Sequence, residues 1–343
     1  MRKNKILFLT IFIALVILII AVYFRLIYLP LDPLAKEEII FQIKKGEGAK
    51  EIALNLEREK LIRDALMFRV YALFKGVAAN LKAGNYRLSP AMNIPQMVDK
   101  FFKGEIIKEK IVIIEGWNIL DVENELSSKL KIQDSDFQIQ NFKIADFQEE
   151  FSFLKDAPAQ ANLEGFLFPD TYEIIIGASP EDIIRKILSN FNKKLGPELR
   201  EEIKRQNKSI YEIITLASLI EKEAKILTEK KLVAGILWKR LENKMPLQVD
   251  ATIAYLLGIK NWQFDEMRKE IALNRGIDSP YNTYKYRGLP PGPIANPGLE
   301  SILAAIYPEE SDYWYYLTTS DGQTIFSRTL EEHNLAKAKY YKN

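Results

Sequence analysis

The sequence predicts an α+β protein tied to a membrane by one N-terminal helix, with a small domain and then a larger one beyond it. Three observations lead there. Residues 6–24 are apolar apart from Thr10 and carry no charge. Segments with helical spacing dominate the rest of the 343 residues, punctuated by short β-branched and aromatic runs. Roughly 310 residues follow the apolar run, too many for one simple core, so two or more domains are expected.

The apolar run, Ile6 to Phe24, approaches the roughly 20 residues that a helix needs to cross a bilayer. Arg2, Lys3 and Lys5 precede it. The positive-inside rule therefore assigns residues 1–5 to the cytoplasm, 6–28 to a transmembrane helix, and the remainder to the external or periplasmic side of the cell membrane. A cleaved signal peptide would have a shorter apolar stretch ended by a small-x-small site. Here the run ends in Val22-Tyr23-Phe24-Arg25, which offers no such site. Pro30 and Pro33 disfavour helix and begin a linker.

Composition narrows the chemistry. The net charge is +2, and four of the cations (Arg2, Lys3, Lys5 and Arg25) belong to the anchor, which leaves the external part slightly acidic. A nucleic-acid binder carries a basic footprint, so no nucleic-acid partner is expected. The absence of cysteine removes disulfides, thiolate nucleophiles and Cys-ligated metals. His333 is the single histidine and reads as an exposed residue on a polar helix face within Leu330–Leu335. No cofactor and no metal are expected, and Asp, Glu, Tyr and Asn must carry any catalysis.

The small domain is expected over residues 39–108. Ile39–Ile43 reads as a strand, Lys44-Lys45-Gly46-Glu47-Gly48 as a turn, and Ala49–Lys60 as a helix with Ile52, Leu54 and Leu56 flanking Ala53. A second helix fits Ala65–Lys75, a strand fits Gly84–Leu88, and a closing helix fits Ile94–Lys103. This order resembles a LysM-like module, a resemblance that implies binding to N-acetylated glucosamine polymers such as peptidoglycan. The plain alternative is a spacer that holds the next domain off the membrane.

The larger domain is expected over residues 109–343. It opens with a strand at Glu109–Ile114, then a helix capped by Asn118 and running to Leu130. Residues 131–160 are polar with scattered Phe and predict short helices. Helices follow at about 180–195, 196–206, 209–227, 228–243 and 250–257. Near the C-terminus, Asp321-Gly322 between two strand-like runs predicts a hairpin.

The helix over 209–227 carries the most chemistry. At 100° per residue, Ile213, Leu216, Ala217, Leu219, Ile220 and Ala224 fill an arc wider than the stripe of a surface helix. Glu221 and Glu223 fall within or beside that arc, on different sides of it. A carboxyl withdrawn from water holds its proton toward neutral pH and can deliver it to a leaving group. The plain alternative is a surface pair between Glu221 and Lys225 at i+4. Around this helix stand three polar and aromatic segments: Glu164–Tyr172, Leu247–Thr252, and Ser279–Tyr284 leading into the Pro- and Gly-rich loop to Gly298. Rings that stack on pyranose faces, with amides that bond hydroxyl and acetamido groups, suit a sugar polymer.

Four motifs in order are similar to the MltG (YceG-like) endolytic murein transglycosylases: Leu163–Tyr172, Leu216–Glu223, Leu247–Thr252, and Pro280–Tyr284 with Gly288–Gly298. The resemblance extends over nearly the whole chain. It implies an α+β catalytic domain that cuts nascent peptidoglycan within the strand, leaves 1,6-anhydro-N-acetylmuramic ends, and works near peptidoglycan synthases. It implies Glu221 as the general acid and then base, with Glu164, Gln248, Asp250, Asn282 and Tyr284 as glycan-contacting candidates. Phe166 and Phe168 stand where Trp is common in the family, and Ala251 where Pro is common. Two other functions fit the residues. One is a hydrolytic muramidase with Glu164, Asp170 or Asp250 as second carboxylate. The other is a non-enzymatic peptidoglycan-binding scaffold.

Overall fold

The computed structural model describes residues 2–130, 138–259 and 264–341. The chain separates into two units, one of residues 1–109 with 173–178, the other of residues 110–172 with 179–343.

In the first unit, helix α1 (Arg2–Tyr28) contains the apolar stretch Ile6–Tyr28. Its side chains from Ile6 to Val22 are exposed, as an anchor requires, but Ile27 is fully buried in the core of this unit. The last turn therefore belongs to the folded unit. Strand β1 (Ile39–Ile43) leads to α2 (Ala49–Arg58) and α3 (Ala65–Phe74), then β2 (Gly84–Leu88) and α4 (Ile94–Lys103). Strands β1 and β2 pair antiparallel, with Ile39 opposite Leu88 and Ile43 opposite Gly84.

Each helix start in this unit has a local cause. Asp64 accepts from the Met67 N–H at 2.9 Å, and Asn93 and Gln96 form a reciprocal capping box at α4. Phe101 on α4 is the centre of packing. Its ring lies 4.8 Å from Tyr86, 6.0 Å from Phe41 and 6.2 Å from Phe68, so it joins both strands and α3.

Strand β3 (Lys108–Val112) pairs with β4 (Thr171–Ile175), and α5 (Ile119–Leu130) follows β3. The short helices expected over 131–160 are 3-10 turns at Ile139–Asn141, Ile144–Asp146 and Ser152–Leu154. The part of that expectation on 131–137 lies outside the described residues. Helices α6 (Pro180–Lys194), α7 (Pro197–Arg205), α8 (Ile210–Glu223), α9 (Leu227–Glu242) and α10 (Asp250–Leu257) come next. Then come α11 (Phe264–Asn274), α12 (Leu299–Ile306), the antiparallel hairpin β5 (Tyr315–Thr318) and β6 (Thr324–Ser327), and α13 (Leu330–Tyr340).

Helix α8 is the centre of the second unit. Every residue from Ile213 to Ile220 is buried, and α7, α9, α10 and α12 all pack against it. Ser209 and Glu212 cap its start reciprocally. The helix was expected to reach 227 but ends at Glu223. Ala224 is extended (φ −135°, ψ 147°), and the chain reverses so that α9 packs back on α8. Both glutamates thus fall in the last helical turn. Helices α11 and α12 and strand β4 carry no expectation from the sequence.

The aromatic segment 166–172 also differs from its reading as a sugar platform. Phe166 and Phe168 are buried beside Phe191, whose ring lies 5.4 Å from Phe166 and 6.1 Å from Phe168. They are core residues because the segment passes under α6.

Phe101 touches three other elements of a small core, so its truncation leaves a void the unit cannot close. Phe101→Ala is expected to lower the unfolding free energy by about 3–5 kcal/mol, measured by denaturant unfolding of the full chain in detergent.

Candidate active site

The last turn of α8 opens onto a cavity of about 1100 Å³ lined by both Glu221 and Glu223. Gln248, Asp250 and Tyr284 line the same cavity. Glu164 and Asn282 do not.

Glu221 is occupied by protein donors. Lys230 Nζ from α9 donates to Oε1 at 3.2 Å, while the Gly298 N–H and the Ser301 hydroxyl, both at α12, donate to Oε2 at 2.9 and 2.7 Å. The pair is sequestered, with side-chain exposures of 8% for Glu221 and 2% for Lys230. The partner is therefore Lys230 and not Lys225, because α8 stops before Lys225 completes an i+4 turn. Glu115 sits against the same end of α12. A Cβ on Gly298 would lie 2.0 Å from its Oε1, so a larger residue there would push the Glu115 carboxyl aside. Burial, and the negative charge of Glu221 beside it, push the Glu115 carboxyl above its ordinary range.

Glu223 has a different environment. Its side chain is partly exposed because it edges the cavity, yet its carboxyl is crowded by protein atoms. Burial first, and the neighbouring Asp250 charge second, raise its pKa from 4.5 to about 8, against the opposing pull of the Ala251 N–H and the Tyr316 hydroxyl. The carbonyl end of α8 works in the same direction, since a helix C-terminus disfavours negative charge. Asp250 is held by the Tyr284 hydroxyl, which donates to Oδ1, and by Arg275, whose Nη2 lies 3.7 Å away. Arg275 also lies over the Tyr284 ring at 4.7 Å.

Gln248 reaches the cavity through an unusual backbone. Its φ is +55°, a left-handed conformation that costs a side-chain-bearing residue about 1–2 kcal/mol. Its N–H donates to the Thr283 carbonyl at 3.1 Å, and the Val249 N–H donates to Thr283 Oγ1 at 3.0 Å. Those bonds hold the strain and aim the segment 247–252 at the cavity.

Asn282 is fully buried. Its Nδ2 donates to the carbonyls of Arg275 and Ile277, each at 2.8 Å, and its Oδ1 accepts from the Tyr284 N–H at 3.0 Å. Every capacity of the amide that matters serves the turn, which in turn presents Tyr284. Glu164, 3% exposed, accepts from the Ile119 N–H at the start of α5 and from Asn296 Nδ2. Burial lifts its pKa to about 8, opposed by the Ile119 N–H. Asp170 is outside the cavity lining and is paired with Asn190 at 2.9 Å and Lys194 at 3.3 Å.

The loop 281–298 clasps α8. The Ile294 N–H donates to Ser218 Oγ at 3.0 Å, Tyr211 donates to the Pro291 carbonyl at 3.0 Å, and Gly298 binds Glu221. Pro293 presses on Gly165, whose φ of +87° and lack of a Cβ allow the approach. His333, expected on an exposed face, is 8% exposed and stacks on Tyr315 at 5.2 Å, because α13 packs its His333 side on the β5–β6 hairpin. Burial and the nearby cations Lys337 and Arg240 lower its pKa to about 4.

Lys230, Ser301 and Asn296 had no place in the sequence reading. Lys230 carried a signal: it stands at i−3, i−4 and i−7 to Val233, Ala234 and Leu237, on the buried side of α9. A lysine there needs an internal anion. Among the described residues, no group of three or more His, Asp or Glu side chains is arranged to hold a metal ion.

Glu164 makes stability depend on pH. Its stabilising contribution is complete below the unfolded value of 4.5 and is lost as pH rises through about 8, because folding takes up a proton across that window. Glu164→Gln should flatten the fall in unfolding free energy over that range by roughly 1.4 kcal/mol per pH unit, read from denaturation midpoints at successive pH values.

The chain is 34% identical over 325 residues to the endolytic murein transglycosylase of Bacillus subtilis, covering 91% of this chain and 87% of that one. It is 32% identical over 333 residues to the endolytic murein transglycosylase of Streptococcus pneumoniae D39, of which it spans 60%. A crystal structure of a yceG-like protein from Listeria monocytogenes matches with a TM-score of 0.58 and 36% identity, covering 88% of this chain and all of that one. The model of the YceG-like family matches residues 41–339. With the family model matching most of the sequence and a relative 34% identical over nine-tenths of it, the chain belongs to the YceG-like family.

Proposed function

We propose that this chain is a membrane-anchored endolytic murein transglycosylase that cleaves the N-acetylmuramyl–N-acetylglucosamine bond within nascent glycan strands. The observation that carries the site assignment is the contrast between the two glutamates. Glu221 has its oxygens filled by Lys230, Gly298 and Ser301. Glu223 edges the cavity and keeps its proton to about pH 8. On that ground we propose that the acid–base role, which the sequence reading put on Glu221, is carried by Glu223; Glu221 lines the same cavity, and its hydrogen bonds also fix the helix end.

The Glu223 carboxyl gives its proton to the glycosidic oxygen as the bond to the muramyl C1 breaks. The resulting carboxylate takes the proton of the muramyl C6 hydroxyl as that oxygen bonds to C1. The proton returns to Glu223, no water is consumed, and the product ends in a 1,6-anhydro ring. Charge building at C1 is offset by the new carboxylate and by Asp250 beside it. Gln248 and Tyr284 serve as glycan contacts at the cavity wall. Asn282 and Glu164 act through the backbone they hold.

The basic leader and α1 support a single-pass anchor with the N-terminus cytoplasmic. The strand–helix–helix–strand–helix order of the first unit supports a LysM-like module that would help hold glycan. A position beside the membrane implies peptidoglycan synthases as partners and termination of glycan elongation as the outcome.

Turnover of isolated glycan by the detergent-solubilised full chain tests this. Glu223→Gln should reduce it by roughly 100- to 10,000-fold with little change in melting temperature. Glu221→Gln leaves Lys230 buried without its anion and should cost about 3–5 kcal/mol of stability, with a smaller loss per folded molecule. Wild-type turnover should fall above about pH 8, as Glu223 loses its proton. The reverse order of the two variants would return the role to Glu221. Reducing muramic ends in place of anhydro ends, by mass spectrometry, would make the enzyme a muramidase with Asp250 as the second carboxylate. Wall binding unchanged with no cleavage by the wild type would mark a scaffold.

A further inference from the structure

The first unit carries an apolar helix face that none of its own residues covers. On α3, Leu66, Val70, Leu73 and Phe74 are 56%, 37%, 65% and 82% exposed. They recur at i, i+4, i+7 and i+8, so they form one stripe, while Ala65, Phe68, Tyr71 and Ala72 on the other side fill the core. Isolated exposed apolar residues are ordinary, but a continuous stripe of them marks an interaction surface.

The position of α3 identifies the occupant. Two contacts tie the helix to the point where α1 ends. Just before α3, Arg63 donates to the carbonyls of Leu29 and Leu31 at 2.8 and 2.9 Å. Two turns further on, Tyr71 packs edge-on against Tyr28, with ring centroids 6.3 Å apart, and Tyr28 stacks on Phe24 at 5.2 Å. Ile27 is buried in the core of the unit, and Asn93 donates to the Tyr28 carbonyl at 3.2 Å. The unit is therefore locked to the last turn of its own membrane span, with no slack between them. Wherever the span leaves the hydrocarbon, α3 begins. Ten residues make a helix about 15 Å long, too short to cross a bilayer but suited to lying at its surface. Tyr23, Phe24, Tyr28 and Lys75 supply the aromatic and basic residues found at that depth.

We propose that the Leu66–Val70–Leu73–Phe74 face of α3 lies in the headgroup–acyl boundary of the bilayer and seats the first unit on the membrane. The inference rests on reading α1 as a membrane anchor. Its consequence is mechanical: the unit that follows the span is fixed at the lipid surface and does not swing on a tether.

The absence of cysteine permits a direct test, since one introduced thiol reports one site. Full-length Leu73→Cys and Phe74→Cys are spin-labelled and reconstituted into phosphatidylcholine–phosphatidylglycerol vesicles. Val16→Cys serves as the marker for the span and Glu59→Cys as an exposed site on another helix end. Collision with dissolved oxygen and with a water-soluble nickel complex is measured at each. The expected result is an oxygen-to-nickel ratio at Leu73 and Phe74 several-fold above that at Glu59, and below that at Val16. A ratio equal to that at Glu59, with Val16 lipid-like, overturns the inference while the anchor stands. Water-like values at Val16 as well overturn both. Low collision with both reagents, or spin–spin broadening, means that protein or a second copy covers the face, and the inference fails.

Discussion

The architecture of the second unit depends on one buried ion pair. Lys230 and Glu221 meet where α8 ends, and the Gly298 N–H and Ser301 hydroxyl complete the shell around the carboxylate. The pair thereby joins α8, α9 and α12 at one point. Removing charges from water costs several kcal/mol per ion, and only close geometry with added hydrogen bonds recovers it. The surroundings conform to that demand. Glycine at 298 leaves room for the Glu115 carboxyl, and the loop leading to it is stiffened by proline and anchored on Ser218.

With Glu221 held, the last turn of α8 has one orientation, and that orientation gives Glu223 its environment. Two residues on, the next carboxyl meets Asp250 and the cavity and has no lysine of its own. One helical turn thus holds two glutamates in different surroundings. The first is bonded by Lys230, Gly298 and Ser301. The second lies against Asp250, and burial raises its pKa to about 8. Separation of carboxyl environments over a few ångströms is a general way to assign acid and structural roles within one site.

The segment 247–252 and the turn at 282–284 complete the wall by a different means. Hydrogen bonds from Gln248 and Val249 to Thr283 tie the two together, and Asn282 shapes the turn that presents Tyr284 to Asp250. Polar residues of the motifs are therefore divided between those that face the cavity and those that hold the facing residues. In the first unit the same economy appears in α1, whose final turn serves both span and core.

The sequence by itself determined an N-terminal helix long and apolar enough to span a membrane, the helices and strands of the first unit, the helices from α5 to α10 apart from the end of α8, and the C-terminal hairpin. Each of these is dictated by local signals: an uncharged run of membrane length, Asp64 and Asn93 as caps, the Asp321-Gly322 turn. The helical wheel singled out Glu221 and Glu223 as polar groups among apolar neighbours, and the family resemblance added Glu164, Gln248, Asp250, Asn282 and Tyr284 as candidates. Only the tertiary structure decided which donors meet Glu221, because Lys230, Gly298 and Ser301 reach it from 9, 77 and 80 residues away. The same holds for Glu164 and Asn282, whose partners turn polar motif residues into supports, and for His333, buried by a hairpin. Periodicity records which face of an element turns inward. The state of a carboxyl depends on which donors meet it there, and those come from segments whose spacing along the chain carries no trace of the contact.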